Sequence, residues 1–461
     1  MHQNESNISA QKTIVIIAAI TSFIMAFTGS SLNLSVPSIG ADFGVSASLV
    51  GWTITVYSLS VAAFSVPFGR LADITSRKTI LITGCAIFAI CSGISAFTNS
   101  FTILLMLRGA QGLGAAMVFS TNVAILISAF PPNKRGKAIG INLGATYVGL
   151  SSGPVIGGIL NHQLGWESIF IFTAVTCALA FILAWRKLPK DQFAGEKRGL
   201  DATGNILFMA FIVILIFGLS NLNVYGTTAV IMVIGGIALF IAFVVYEYKQ
   251  ADPAVNVALF KNNIGFGLSN LSAMLNYTVS VALGYLVSLY LQIGLGYPSQ
   301  TAGLVMICQP IVMALLSPQM GKLSDKVSPF KLSSCGMVIC GLSASIFIFV
   351  DENTGVGVVV AALLIAGLGV SMFSSPNTNA IMSCVEKKDF GVASSLVSTM
   401  RTVGQTMGMV IVTLVVSSMM GNTPLTDAQP AMLVNVIHTC FIIFTAICFV
   451  GAVISLQRKK A

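Results

Sequence analysis

Charge is what this sequence has least of. Asp, Glu, Lys and Arg make up 8% of its 461 residues, against about 25% in ordinary soluble proteins. With 55% hydrophobic residues and a mean hydropathy of +0.90, the chain cannot cover a water-soluble globule with polar surface. It reads as an integral membrane protein that works within a lipid bilayer. Cysteine pairs are absent too. Nine cysteines lie in or beside apolar runs and none forms a CxxC pair, so neither a disulfide framework nor a thiolate metal site is suggested. They read as small packing residues. No metal cluster, nucleotide loop or nucleophile–base pair is found, so the chain does not read as an enzyme and calls for no metal or cofactor. The N-terminus, MHQNESNISAQK, lacks a basic n-region. The apolar run from Thr13 is too long for a signal h-region, so a retained first helix is expected.

What the chain does have is fourteen apolar runs: 13–37, 50–69, 79–98, 101–129, 138–160, 167–185, 203–220, 227–247, 264–292, 300–321, 331–350, 355–384, 391–418 and 432–456. Each is close to the roughly 20 residues that a helix needs to span a bilayer. If the N-terminus is cytoplasmic and the loops alternate, 22 of the 24 Lys and Arg fall on the cytoplasmic side. The other two, Arg108 and Arg401, lie inside runs. The outer loops hold only acids, among them Asp42, Glu167, Asp351 and Asp427. The positive-inside rule is thus met at every loop. It predicts both termini inside, a plasma-membrane location, and a net charge of +9 explained without nucleic acid.

The two longest cytoplasmic loops, 186–202 and 248–263, bracket the seventh and eighth runs. The predicted architecture is therefore all-α: a six-helix bundle (1–190), an inserted hairpin (191–260) and a second six-helix bundle (261–461). A charged hinge, GRLADITSRK at Gly69–Lys78, follows the second helix of the first bundle. Its echo, GKLSDK at Gly321–Lys326 with Asp325 matching Asp73, follows the second helix of the last. That register is what a parallel duplication requires.

Several residues invite a physical reading. Gly69 allows close backbone approach, and Asp73 can accept from backbone N–H groups or pair with a base. Arg108 sits about seven residues into the fourth run, ~10 Å deep. A guanidinium there needs partners or water, whether its role is functional or structural. Gln111 lies one turn on. Gly149, Gly153 and Gly157 recur every four residues on one helix face that permits close packing, and Pro154 removes a backbone donor. Arg401 lies near the middle of the thirteenth run with Gln405 one turn on. Asn33, Tyr57, Asn142, Tyr147, Asn276, Gln292, Gln309 and Asn377 are candidate cavity-wall residues, each of which could equally serve as a helix–helix hydrogen bond.

These stretches resemble the major facilitator superfamily, in particular its fourteen-helix drug/proton antiporter branch. The resemblance covers nearly the whole chain. Besides the hinge it rests on LLMLRGAQGLGAA (Leu104–Ala116), GLSSGPVIGG (Gly149–Gly158), YLQIGLGYPSQTAGL (Tyr290–Leu304) and RTVGQTMG (Arg401–Gly408). It implies a secondary transporter that rocks two halves about a central cavity, with a small-molecule substrate and protons as partners. It also implies that Gly69, Asp73 and Arg77 form a cytoplasmic latch, that Arg108 and Gln111 belong to the coupling machinery, and that the Gly149–Gly158 helix seals the interface between halves. Ser76 replaces the family's usual glycine before Arg77, which suggests a looser turn.

One departure matters for coupling. The branch's first helix usually carries an aspartate before an asparagine and a proline. In FTGSSLNLSVP (Phe27–Pro37), Asn33 and Pro37 match, but the aspartate position is Thr28. No Asp or Glu lies deep in any run, and His438 is the only histidine within one. Two embedded cations without an embedded anion favour neutral, amphipathic or anionic cargo. Two readings follow: a proton-coupled exporter of small amphipathic compounds, or a facilitator or exchanger of an anionic or neutral metabolite without proton coupling.

Overall fold

The computed structural model describes residues 2–130, 132–189, 201–250, 253, 255, 257, 260, 263–324, 326–385, 390–421 and 429–456. Asp325 lies outside them. Asp73 is in a helix, but its side chain is not among those described.

The described residues form long helices without strands. We number the long ones α1 (His2–Ser31), α2 (Ala47–Ile74), α3 (Arg77–Ser95), α4 (Phe101–Ala129), α5 (Pro132–Leu164), α6 (Glu167–Lys187), α7 (Ala202–Ser220), α8 (Thr227–Lys249) and α9 (Ile264–Leu289). There follow α10, in two pieces (Ser299–Met306 and Cys308–Ser324), α11 (Pro329–Ile346), α12 (Val356–Ser383), α13 (Phe390–Met420) and α14 (Pro430–Leu456). Among the described residues, 13 of these segments are long and apolar enough to cross a membrane. The remaining run, 138–160, lies on α5. Starts are set by side chains that accept the free N–H groups of the first turn: Ser46 from Leu49, Ser76 from Thr79, Asp201 from Gly204 and Asn263 from Phe266. The Ser76 contact bears on the hinge. Its backbone is extended (φ −158°), so this position needs a cap and not a glycine.

The same helix pairings occur twice. In the first half α1 packs on α5, α2 on α4, α3 on α4 and α3 on α6. In the second α9 packs on α13, α10 on α12, α11 on α12 and α11 on α14. The glycines that allow these approaches recur in register. A Cβ on Gly84 would meet the Gly114 carbonyl at 2.7 Å, and one on Gly336 the Gly369 carbonyl at 2.7 Å. A Cβ on Gly112 would meet the Tyr57 carbonyl at 2.6 Å, and one on Gly367 the Gln309 carbonyl at 2.7 Å. Gly149 and Gly153 abut the backbone of Phe23 and Phe27, as Gly404 and Gly408 abut that of Met274 and Thr278. Helices this close tolerate no added methyl without moving.

The two halves meet along α2–α13 and along α5–α10. Contacts across the seam concentrate at the end where α1 finishes, here called the far end; the opposite end carries the hinge cations and is called the basic end. At the far end the Ser288 hydroxyl donates to the Asn33 carbonyl (2.8 Å) and the Ser299 hydroxyl to the Gly158 carbonyl (3.2 Å). Gly303 lies directly against the Pro154 carbonyl. The packing of α5 on α10 thins along Cys308–Ser324. The inserted pair packs mainly on itself, touching the bundles through α7 against α2 and α13. Its α8 exposes Ile231, Ile234 and Ile241, as a lipid-facing helix would.

Candidate functional site

Halfway along the seam, four side chains from four helices converge. The Arg401 guanidinium on α13 lies 5.8 Å from the ring of Phe119 on α4 and 5.9 Å from that of Tyr277 on α9. Tyr147 on α5 is within electrostatic range of Arg401 and Tyr277 and faces Ser317 on α10. All four are only partly buried. The Arg401 Nε is enclosed and has no hydrogen-bond partner. The Tyr277 hydroxyl reaches Ser374 of α12 at 3.5 Å. A cation between two π faces, with an unused donor, can hold a carboxylate, a phosphate or the face of a conjugated ring. Gln405 is one turn along the same helix and half-buried. Phe119 and Tyr277 were not among the sequence candidates. Their one available signal is an aromatic residue at mid-span, and that signal is common in any membrane helix.

Arg108 presents the opposite case. It is 1% exposed, and neutral groups satisfy it. Nε donates to the Thr53 carbonyl (2.9 Å) and Nη1 to Gln111 Oε1, while Gln111 Nε2 donates to the Ser92 hydroxyl. The Tyr57 ring lies 4.4 Å beneath the guanidinium, and the Tyr57 hydroxyl points at Met25 Sδ (4.0 Å). This network joins α2, α3 and α4 of one half and, among the described residues, shows no hydrogen bond to the other. Thr28, at the position where an aspartate was expected, is 1% exposed and donates to the Ile24 carbonyl of its own helix (2.8 Å).

The remaining candidates divide between packing and seam. Asn142 accepts from Ser22 (2.8 Å), which in turn accepts from Asn122 (2.8 Å); this triad ties α1, α4 and α5 within the first half. Asn377 donates to the Ser269 carbonyl (3.3 Å), tying α9 to α12. Asn33 and Gln292 belong to the far-end closure, with Gln292 donating to Ser288 (3.0 Å). The glycine stripe differs from expectation in one respect. Gly149, Gly153 and Gly157 face α1 of their own half, and it is Pro154 and Gly158 that meet α10 across the seam. Gly69 on α2 lies beside Ser120 of α4, and Arg77 opens α3. Asn276 and Gln309 line a separate recess inside the second half.

Glu247 is 2% exposed in the last turn of α8 and accepts from the Val255 N–H (3.2 Å). Beside it Asp201 accepts from the Tyr246 hydroxyl (3.1 Å). At the far end His438 Nε2 is 2.6 Å from the Val350 carbonyl, and the Trp166 indole donates to Asp42 (2.6 Å). Among the described residues no group of His, Cys, Asp and Glu is arranged to hold a metal ion.

The Major Facilitator Superfamily model matches residues 18–269 and 268–460. Riboflavin transporter RibZ of Clostridioides difficile is 29% identical over 96% of this chain and 97% of its own. Multidrug resistance protein Stp of Mycobacterium tuberculosis is 28% identical over 87% of this chain and 75% of its own. Cephamycin export protein CmcT of Amycolatopsis lactamdurans is 27% identical over 91% and 88%. Among solved structures, a POT family transporter in complex with a thioalcohol conjugated peptide superimposes with a TM-score of 0.73 over 98% of this chain and 96% of that one, at 14% identity. That likeness concerns the fold alone.

Proposed function

Because the chain belongs to the major facilitator superfamily and is a multi-pass membrane transporter rather than an enzyme, we propose that it exports small amphipathic compounds, neutral or anionic, by alternating access in exchange for protons. The observation that carries the cargo half of this reading is Arg401. It sits at the seam, between rings from both halves, with Nε unpartnered. Cargo bound there would touch both halves at once, so it could favour one arrangement of the seam over another. The closed far end and the thinner α5–α10 packing beyond it support a state that opens at the basic end. We take the basic end as cytoplasmic, both termini as cytoplasmic and the membrane as the plasma membrane, on the segregation of Lys and Arg. The chain would then divide into bundles 1–190 and 261–461 around the hairpin 191–260. Gly69, Asp73, Arg77 and Asp325 would be the basic-end latch.

A second reading, a facilitator or exchanger without proton coupling, is favoured by Thr28. Its hydroxyl is bonded to its own backbone, and it offers no proton site. Proteoliposomes with an internal pH dye test both readings, using a ligand panel that includes riboflavin and a cephamycin. Export predicts cargo movement that an uncoupler abolishes and a pH change on adding cargo. Cargo movement with no proton flux in wild type, regained in Thr28→Asp, would assign the second reading. No movement of any panel compound would count against the transport site at Arg401.

A further inference from the structure

The two halves repeat so closely that buried positions can be paired. Tyr57 and Gln309, Ser60 and Val312, Gly84 and Gly336, and Phe88 and Cys340 are each 252 residues apart, and each pair makes the same backbone approach in its own half. On α4 and α12, Gly112 pairs with Gly367 and Gly114 with Gly369, a spacing of 255. The last spacing sets Arg108 against Leu363 and Gln111 against Ala366; along α1 and α9, Phe23 pairs with Met274 and Phe27 with Thr278, a spacing of 251 that sets Met25 against Asn276.

In the first half this volume is full. It holds the Tyr57 ring under Arg108, the Gln111 amide, and Phe88 with no exposed surface. In the second half the counterparts are smaller, and a recess about the size of one water remains, lined among others by Asn276, Ser280, Leu283, Gln309, Cys340 and Ala366. Asn276 is 1% exposed. Its Nδ2 faces Met337 Sδ (3.3 Å) and Cys340 Sγ (3.7 Å), and its Oδ1 has no hydrogen-bond partner. Gln309 is half-buried at the edge of the recess. A buried carbonyl without a donor is costly; apart from Gln309 and the Ser280 hydroxyl, which donates to the Asn276 backbone carbonyl (2.9 Å), the rest of the lining is apolar, and none of it is charged.

We propose that this recess is a subsite for the tip of a cargo molecule: a small uncharged O–H or N–H on an apolar frame, donating to Asn276 Oδ1. A charged tip finds no counter-ion on these walls. The subsite rests on the transport reading and adds a neutral specificity contact to the cationic one at Arg401.

Cys340 reports on the recess from inside. Full-length protein in detergent is treated with the small neutral reagent methyl methanethiosulfonate, and modification at Cys340 is followed by peptide mass spectrometry. The probes are benzyl alcohol and benzyl methyl ether, which differ in the hydroxyl proton. The alcohol should slow modification about fivefold more than the ether, the order expected for one hydrogen bond. That difference should vanish in Asn276→Leu. Gln309→Tyr, which restores the first-half filling, should block modification without lowering the melting temperature, and it decides the matter if Asn276→Leu fails to fold. The proposal is overturned if Cys340 resists the reagent in folded wild type, if alcohol and ether protect equally (an ordered water only), or if Gln309→Tyr leaves the rate unchanged. Panel transport by the same wild-type preparation is scored separately. Its loss would remove the transport reading whatever Cys340 reports.

Discussion

The first and second halves of this protein use one scaffold and fill it differently. Both pack the same helix pairs through glycines in the same register. Yet the first half locks its embedded arginine into neutral partners, while the second leaves its own, Arg401, half-open at the seam with an unused donor. Two arginines that look equivalent in a sequence scan thus sit in different surroundings. A cation in a low-dielectric interior is tolerated when carbonyls, amides and π faces replace its water. Arg108 has that replacement in full, and Arg401 has it in part.

This contrast can be broken at several points. The largest effect is expected at the seam. Gly303 lies against the Pro154 carbonyl, so Gly303→Val should abolish far-end closure and with it transport, measured in proteoliposomes. Next, Arg108→Leu leaves the Gln111 amide and the Thr53 carbonyl short of a partner, and should cost about 2–4 kcal/mol of stability, read as a drop in the unfolding midpoint. Arg108→Lys should not rescue it, because an ammonium cannot fork between a carbonyl and an amide as guanidinium does. Arg401→Ala should do the reverse. It should leave the melting curve within about 0.5 kcal/mol of wild type while weakening anionic cargo about tenfold or more. A large stability loss at Arg401 with none at Arg108 would invert the comparison.

The smallest effect lies in the far-end loop. Hydrogen bonds from the Thr354 side chain and the Asn353 backbone hold the exposed Asp351 carboxyl below the usual carboxylate range. A lowered native value contributes stability above the unfolded-state value and loses it as pH falls through the native one. Thr354→Val should therefore lower the melting temperature slightly at neutral pH, leave it unchanged at pH below the native value, and so flatten the acid-side dependence.

Much of the fold was legible because lipid imposes simple rules. Apolar runs of span length and the one-sided placement of Lys and Arg predicted the helices, and the Gly69/Gly321 echo predicted the repeat. At the hinge turn Ser76 works as a cap, which motif matching does not weigh. The glycine stripe of α5 predicted close packing, but periodicity does not say which neighbour is packed, and the neighbour is α1. The recess was invisible for a different reason. It consists of what Gln309, Cys340 and Ala366 fail to fill, and that shows only when each is set against its partner in the other half. Glu247, in the last turn of α8, is buried, and sequence distance from a loop does not report burial.

The account rests on two matched halves that rock about the Arg401 seam, and the most direct test needs no cargo. Spin-label distances can be measured between Leu164 and Glu352 at the far end and between Trp185 and Val327 at the basic end, in wild type and in Gly303→Val. Rocking predicts that the variant lengthens the first distance and shortens the second. A far end that opens while the basic-end distance stays fixed would contradict it.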